Sequence, residues 1–351
     1  MHELSFIDGH NDTITKLMNN DISVEEAFLK GNSQTHLDFP RAKESGFAGG
    51  FFAAFTAPQK ELKGPEHYIT AEGYRIPLPE ALDYEYCHRK TNAVIADLYR
   101  LEAASANHLQ IIRSYKDLEA ALAKKVMAVI LHIEGAEAID AHLDALHVYY
   151  EAGLRSLGLV WSRPNIFAEG VPYQFPSSPD TGNGLTKLGK HLVRKCNELG
   201  IMIDNSHLNE KGFWDVAALS DSPLVATHSN AHSLCPISRN LTDKQLDAIA
   251  ESNGVVGITY SNNMLRMDGD LSQDTAIEDI VKHITYISNR VGVEHVALGS
   301  DFDGAVISKE LKDVTGVPKI LQRLNQSGFT DSDIKKLSSE NWLRITRNTW
   351  K

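Results

Sequence analysis

Short runs of apolar and β-branched residues recur along the chain, separated by longer stretches with the spacing of amphipathic helices. The short runs are continuously apolar, which is typical of strands that are buried on both faces of a parallel sheet. Eight runs are predicted to be strands: 4–10, 47–55, 126–135, 154–161, 200–207, 223–229, 254–260 and 295–304.

Helical patterns fill several of the gaps between these runs, and most end where a glycine follows. Glycine accepts the positive φ of a helix C-terminus at little cost, so it is a physical stop signal. Alternating strands and helices indicate βα units, and eight such units predict a (β/α)8 TIM barrel in a single domain, residues 1–351. The four glycines that end predicted helices are Gly153, Gly200, Gly254 and Gly292.

Two segments interrupt this regular order. Residues 57–125 are predicted to be an insertion after strand two, with at least one helix near 86–105. Residues 163–183 are rich in Pro, Gly and Ser and are predicted to be a long loop over one end of the barrel.

Composition narrows the classes of function. The chain has 351 residues and a formal net charge of −11, and it contains no basic run, so a nucleic-acid partner is not expected. Three widely spaced cysteines argue against a disulfide framework. The longest nearly apolar run, 126–133, is much shorter than the about 20 residues that span a bilayer. The N-terminal residues lack the features of a secretory signal, so a cytoplasmic location without membrane contact is expected.

Side chains that bind metals follow five of the predicted strands. In barrels of this type the reactive groups lie at the C-terminal ends of the strands. Asp12 alone could be a helix N-cap, and a single histidine could be structural, whereas an unpaired carboxylate buried after an apolar strand, as at Glu134, would be costly. Six such side chains, taken together, predict a site for a first-row metal such as zinc. They are His10, Asp12, Glu134, His207, His228 and Asp301.

Six candidates exceed the three protein ligands of a typical mononuclear catalytic zinc site. Two ions about 3.5–4 Å apart that share one carboxylate would account for them. Glu134 is expected to bridge, because it stands alone on its strand and no lysine occupies any of these strand ends. Such centres suit hydrolysis, since the ions acidify a water and polarise a carbonyl.

Three further side chains are candidates for binding or positioning. Arg239, in the loop after strand six, could hold a substrate carboxylate through two parallel hydrogen bonds, or it could be a surface arginine paired with an aspartate. Tyr260 ends strand seven and could line the pocket or belong to the core. Asp303 is expected to be a turn residue or to orient a ligand. No phosphate-binding loop, nucleophile elbow or Cys-His pair is present to support another chemistry.

The motifs DGHND, HIEGAEAI, DNSHL, THS, SRN and GSDFDG follow one another along the chain. In this order they resemble the membrane (renal-type) dipeptidases, the M19 metallopeptidases of the amidohydrolase superfamily, from residue 7 to about residue 304. The resemblance implies a (β/α)8 barrel with two zinc ions that hydrolyses dipeptides, including those with a C-terminal D-residue, by attack of a zinc-bound hydroxide. It also implies a homodimer.

The resemblance also implies a role for each candidate. Asp301 resembles the residue that moves the proton during catalysis, and Arg239 matches the arginine that binds the substrate carboxylate. The ligands divide between the two zinc ions as His10, Asp12 and Asp301 on one, His207 and His228 on the other, and Glu134 bridging both.

One position departs from the family pattern. Typical members end strand four with Thr-His, whereas this chain has Val160 and Trp161. The histidine is expected to stabilise the oxyanion, and a tryptophan offers one N–H donor and no charge. Loss of one oxyanion donor costs about 10²–10³ in turnover. Arg163 could take over this role, Trp161 could simply pack at the pocket wall, the dipeptidase activity could be low, or the substrate could differ.

The departure at Trp161 keeps two alternatives open. The first is another amidohydrolase activity at the same site, on N-acyl amino acids, related amides or lactones. The second is a catalytically silent homologue that kept its metals, against which the six intact ligand positions argue.

Overall fold

The eight predicted strands form one parallel sheet in which neighbours follow chain order. The computed structural model describes residues 5–18, 22–60, 63, 65–271 and 274–351. Leu4, which begins the first predicted strand, lies outside these residues. The strands are β1 (Phe6–Asn11), β2 (Phe47–Phe55), β3 (Met127–Glu134), β4 (Leu154–Gly158), β5 (Met202–Asp204), β6 (Val225–Ser229), β7 (Val255–Ile258) and β8 (Val296–Leu298).

The sheet closes between β1 and the segment that follows β8. Asn11 and Phe302 form a parallel bridge, and the Asp12 N–H donates to the Phe302 carbonyl at 2.8 Å. The Asp301 N–H donates to the His10 carbonyl at 3.0 Å. The prediction of a (β/α)8 TIM barrel is therefore confirmed.

Apolar side chains fill the N-terminal half of the barrel interior. Ile7, Phe51 and Ile130 pack there with Trp342, a completely buried residue from the C-terminal part of the chain. The Trp342 indole N–H donates to the Leu298 carbonyl at 2.9 Å. This packing fills the N-terminal end of the barrel interior with apolar side chains.

The predicted helices are also present. The one predicted from Thr242 begins with a capping box, in which the Thr242 hydroxyl accepts from the Gln245 N–H and the Gln245 side chain accepts from the Thr242 N–H. The helices of the described residues are α1 (Thr13–Leu17), α2 (Val24–Lys30), α3 (Phe39–Ser45), α4 (Tyr84–Ala104), α5 (Tyr115–Ala123), α6 (Asp144–Glu151), α7 (Lys187–Leu199), α8 (Glu210–Leu219), α9 (Asp243–Glu251), α10 (Ile277–Val291), α11 (Val317–Gln326), α12 (Asp331–Lys335) and α13 (Asn341–Thr349).

The insertion after β2 contains the predicted helix, α4, and strands that the sequence pattern did not predict. Residues 109–111 pair with the start of β3. Residues 69–70 and 73–75 join residues 174–175 of the long loop in a small antiparallel sheet. The loop crosses the C-terminal end of the barrel, where the Val171 N–H donates to the His207 carbonyl at 2.9 Å. Among the described residues, no helix is both long and apolar enough to cross a membrane.

Candidate metal centre

All six candidate ligands lie together at the C-terminal end of the barrel. His10 and His228 belong to strands, and Glu134 is the last residue of β3. Asp12 follows β1 directly, whereas His207 and Asp301 lie in the loops that leave β5 and β8. Five of the six are buried, and Asp301 is partly exposed. The convergence predicted from strand ends is therefore what the fold produces.

Three of these residues form a close group around one carboxylate oxygen. Oε1 of Glu134 lies 2.9 Å from Nε2 of His207 and 3.4 Å from Nε2 of His228. The two imidazole nitrogens are 3.0 Å apart. Tetrahedral zinc with bonds of about 2.0–2.1 Å places its ligand atoms roughly 3.3 Å apart. The group therefore has the spacing of ligands to a single ion.

A second group shares the same glutamate. Nε2 of His10 lies 3.3 Å from Oδ2 of Asp12 and 3.7 Å from Oε1 of Glu134. The Asp301 carboxylate lies between the two groups, within 4.8 Å of ring nitrogens of His10 from this group and His228 from the first. Asp12 precedes α1, but its side chain makes no capping hydrogen bond. Glu134 thus belongs to both groups of ligand atoms.

The electrostatics of this cluster suit a bound cation. Burial, together with the carboxylates of Asp12 and Asp301, raises the pKa of Glu134 well above its usual value despite the opposing effect of His10. Burial also lowers the pKa of His207 and His228 well below the ordinary value, which favours the neutral imidazole that binds metals. Among the described residues, Oδ1 of Asp12 and Nδ1 of His10 are buried without a hydrogen-bond partner. The donor set therefore fits divalent first-row metal ions.

Hydroxyl groups orient the two imidazoles of the first group. Oγ of Ser162 lies 2.9 Å from Nδ1 of His207, and Oγ1 of Thr227 lies 2.8 Å from Nδ1 of His228. Because each Nδ1 has a partner away from the centre, each Nε2 is directed at Glu134. The sequence analysis named neither hydroxyl: Ser162 comes from the loop after β4, and Thr227 directly precedes His228 in β6.

Arg239 is buried beside the cluster, with 2% of its surface exposed. Its guanidinium donates to the Ser206 carbonyl, and one terminal nitrogen lies 3.2 Å from Nε2 of His207. The alternative of a surface arginine paired with an aspartate is therefore wrong. A charged group with planar donors stands next to the candidate ligands.

Trp161 lies on the wall of the site. Its ring centroid is 5.2 Å from that of Phe55 and 5.9 Å from that of His207. Arg163 packs against both aromatic rings and is completely buried. Its Nε donates to the Glu137 carboxylate at 2.6 Å. Trp161 is therefore held between an aromatic neighbour and a buried ion pair.

Tyr260 and Asp303 occupy supporting positions. Tyr260 is buried in the main hydrophobic core, edge-on to Phe302 at a centroid distance of 5.7 Å, and contact of Tyr260 with substrate stays a prediction. Asp303 accepts from the Thr13 hydroxyl at 2.8 Å and from the His36 N–H at 2.7 Å. Asp303 thus fastens the loop that carries Asp301 to the first helix.

Asp8 is a supporting residue that the sequence analysis missed. Its two carboxylate oxygens accept from the backbone N–H and the hydroxyl of Ser300, each at 2.7 Å. Burial raises the pKa of Asp8 to about 6 in spite of these hydrogen bonds. The contact holds β1 against the segment that presents Asp301. A carboxylate directly after the buried apolar residues Phe6 and Ile7 was the available signal.

Gly304 has no room for a side chain. A Cβ at this position would lie closer than 3.0 Å to Oδ2 of Asp12 and to Oδ1 of Asp301. We expect Gly304→Ala to displace both carboxylates and to weaken metal binding about 10- to 100-fold, as loss of ligand positioning does elsewhere. Competition with a chromophoric chelator measures this affinity.

Gly158→Ala is the matched control for Gly304→Ala. It lies at the same end of the barrel, in β4, where a Cβ would meet its nearest neighbour at 3.5 Å. If folded Gly304→Ala protein kept the wild-type metal affinity, the close approach of Gly304 to the carboxylates of Asp12 and Asp301 would not matter for metal binding.

Comparison with known proteins agrees with this geometry. The sequence-family model that describes membrane dipeptidases (peptidase family M19) matches residues 1–351 of this chain. An uncharacterized protein in the pqqA 5' region of Klebsiella pneumoniae is 49% identical over 256 residues, which are 73% of this chain and 94% of the relative.

Two solved structures share the whole fold. A metallopeptidase from Rhodobacter sphaeroides, liganded with a phosphinate mimic of the dipeptide L-Ala-D-Ala, superposes with a TM-score of 0.93 at 43% identity over 99% of each chain. Dipeptidase AC, a metallopeptidase of family M19, gives a TM-score of 0.92 at 44% identity over 99% of each chain. The resemblance that the motifs indicated is confirmed, and the chain belongs to the membrane dipeptidase family, peptidase family M19.

Proposed function

We propose that this protein is a dipeptidase that uses two zinc ions to hydrolyse the peptide bond of dipeptides, including those with a C-terminal D-residue. The observation that carries the proposal is the position of Glu134 in two groups of ligand atoms, with Arg239 beside them. The metallopeptidase from Rhodobacter sphaeroides, which binds a mimic of L-Ala-D-Ala, supports the substrate class.

The ligands divide as two overlapping sets. Glu134 would bridge, because one oxygen already lies near imidazoles of both groups. Other divalent first-row ions suit the same donors. Two ions bound about 3.5–4 Å apart would acidify a water and polarise the peptide carbonyl. The first ligand set would be His10, Asp12 and Asp301, the second would be His207 and His228, and Glu134 would belong to both.

Asp301 is the proposed proton carrier. It is the one partly exposed carboxylate among the six candidates, so a bound substrate can reach it. Asp301 would take a proton from the attacking water and give it to the nitrogen of the leaving amino acid. Its backbone has φ +61°, a left-handed conformation that aspartate tolerates better than most residues.

Arg239 is the proposed binding group for the C-terminal carboxylate. Its guanidinium lies 3.2 Å from His207, so a carboxylate held there keeps the adjacent peptide bond close to the candidate ligands. A peptide with more than one residue after the cleaved bond would need to place these residues where Arg239 lies. This geometry favours substrates whose leaving group is a single amino acid, as in dipeptides.

Hydrolysis of four substrates tests the proposal. Protein reconstituted with zinc is incubated with L-Ala-L-Ala, L-Ala-D-Ala, N-acetyl-D-Ala and a lactone, and a chelated sample is the control. We expect metal-dependent cleavage of the dipeptides. Cleavage of N-acetyl-D-Ala or the lactone without cleavage of either dipeptide would instead support the second candidate, an acyl amino acid or lactone hydrolase. Trp161 is the residue that favours this alternative, because it occupies the position of the family's oxyanion donor.

Replacing Trp161 by the family residue should increase dipeptide turnover. We expect Trp161→His to raise kcat about tenfold, less than the 10²–10³ that a full oxyanion donor supplies, because Phe55 and Arg163 are packed for an indole. Trp161→Phe keeps an aromatic wall without the N–H and is the comparison. A fall in kcat for Trp161→His, with Trp161→Phe unchanged, would show that Trp161 only packs.

We infer a cytoplasmic homodimer in which residues 1–351 work as one catalytic domain that has no membrane or nucleic-acid partner. Light scattering of the purified protein measures the mass, and a single species of 38.8 kDa would contradict the dimer.

A further inference from the structure

A fully hydrogen-bonded carboxylate lies beneath the candidate ligands, inside the barrel. Asp204 is the last residue of β5 and is 3% exposed. Its Oδ1 accepts from the backbone N–H of Ser206 at 3.0 Å, from the Ser206 hydroxyl at 2.6 Å and from the Thr227 N–H at 2.8 Å. Its Oδ2 accepts from the Thr227 hydroxyl at 2.7 Å. None of these three residues is a candidate ligand.

These contacts fix the tautomer of His228. The Thr227 hydroxyl has one proton, and it donates that proton to Asp204 because a carboxylate can only accept. The hydroxyl oxygen must therefore accept from Nδ1 of His228, which lies 2.8 Å away. Nδ1 carries the hydrogen, and Nε2 presents its lone pair toward Glu134. The Ser206 hydroxyl, which also donates to Asp204, accepts from the backbone N–H of His228 at 3.0 Å.

The other side of Asp204 faces the second group of ligands. Nδ1 of His132 lies 2.8 Å from the Ser156 hydroxyl, whereas Nε2 has no hydrogen-bond partner among the described residues and lies 3.8 Å from Oδ2 of Asp204, an electrostatic contact. The rings of His132 and His10 meet edge to face at a centroid distance of 5.2 Å. Ring nitrogens of His10 and His132 and the Asp204 carboxylate all lie within 4.8 Å of one another.

We propose that Asp204 is a positioning residue shared by both halves of the metal centre. Through the Thr227 hydroxyl it orients His228, and its charge lies beside His132, whose ring packs edge to face against His10. The inference rests on the proposed function, since it concerns how these imidazoles are held for two ions. Partners of this kind commonly change metal affinity about 10- to 100-fold when they are removed.

Cobalt titration of the metal-free protein tests the proposal. The visible absorption of bound Co²⁺ and competition with a chelator give the number of ions and the affinity of each, without any assay of turnover. We expect Asp204→Asn to weaken both ions about 10- to 100-fold. Thr227→Val, which removes only the hydroxyl, should weaken one ion by the same amount, and Thr227→Ser should restore it.

Asp313→Asn is the matched control. Asp313 is also buried and accepts from Arg41 and from the Thr315 side chain and backbone, away from the candidate ligands. It should lower the free energy of unfolding and leave both cobalt affinities unchanged. A loss of affinity in Asp313→Asn equal to that in Asp204→Asn would mean that destabilisation alone explains the effect and would overturn the proposal.

The remaining outcomes separate this proposal from the proposed function. Wild-type cobalt affinities in both Asp204→Asn and Thr227→Val would overturn the positioning role while leaving the metal centre intact. If Asp204→Asn and Thr227→Val each weakened the same single ion, Asp204 would act on only one half of the metal centre, and the shared role would be overturned. A third ion that disappears in Asp204→Asn would show that Asp204 is itself a ligand. Wild-type protein that binds no cobalt would contradict the proposed function itself.

Discussion

Glu134→Gln is expected to lower kcat on L-Ala-D-Ala by about 10³-fold or more in a protein that remains folded. The amide has one acceptor oxygen and no charge, so it cannot bridge two cations as the carboxylate can. Metal ions supply several kcal/mol of stabilisation to the developing charge, and each 1.36 kcal/mol corresponds to a tenfold change in rate. The variant should also bind fewer ions, because Glu134 contributes to both ligand groups.

Metal content and rate are measured on the same sample. Glu102→Gln is the control, since Glu102 is a glutamate outside the candidate centre whose carboxylate accepts the Ile111 N–H at 2.7 Å. We expect wild-type rate and metal content from that variant. If Glu134→Gln kept two ions and wild-type turnover, Glu134 would not be the bridging carboxylate.

Arg239→Met is expected to reduce kcat/KM for dipeptides by about 10²-fold or more. Truncating one partner of a buried, hydrogen-bonded charge pair costs about 2–5 kcal/mol, and Arg239 is almost completely buried. Methionine keeps much of the side-chain length but offers no donor to a carboxylate. Arg239→Lys should recover only part of the loss, because an ammonium lacks the planar pair of donors.

The dipeptide amide is the informative second substrate for Arg239. It lacks the C-terminal charge, so wild-type protein and Arg239→Met should cleave it at similar rates. Arg266→Met is the control variant, because Arg266 is outside the candidate centre and pairs with Asp268. An equal effect of Arg239→Met on the dipeptide and its amide would mean that the arginine supports the site without binding the carboxylate.

Periodicity was sufficient to predict the barrel. Continuous apolar runs marked all eight barrel strands, because parallel strands are buried on both faces. The rule that reactive groups follow strand C-termini then predicts that His10, Glu134 and His228 lie at the same end of the barrel. The candidate ligands can be identified because each lies at or just after the end of a predicted strand, and a single sequence shows where its strands end.

Side-chain contacts between different strands could not be predicted from the sequence. Asp204 and Thr227 meet only because β5 and β6 are neighbours, and Asp8 reaches Ser300 only because the barrel closes. The strand at 109–111 was missed because it is short and pairs at the outer start of β3. Polar residues inside apolar runs, such as His132, were the only hint of the layer beneath the ligands.

Zinc titration of the metal-free protein, followed by release of D-alanine from L-Ala-D-Ala, tests the central claim most directly. If Glu134 bridges two catalytic ions, the rate rises until two zinc ions are bound per chain and then remains constant. Full activity at one ion per chain would contradict the dinuclear centre. No release of D-alanine with two ions bound would contradict dipeptide hydrolysis.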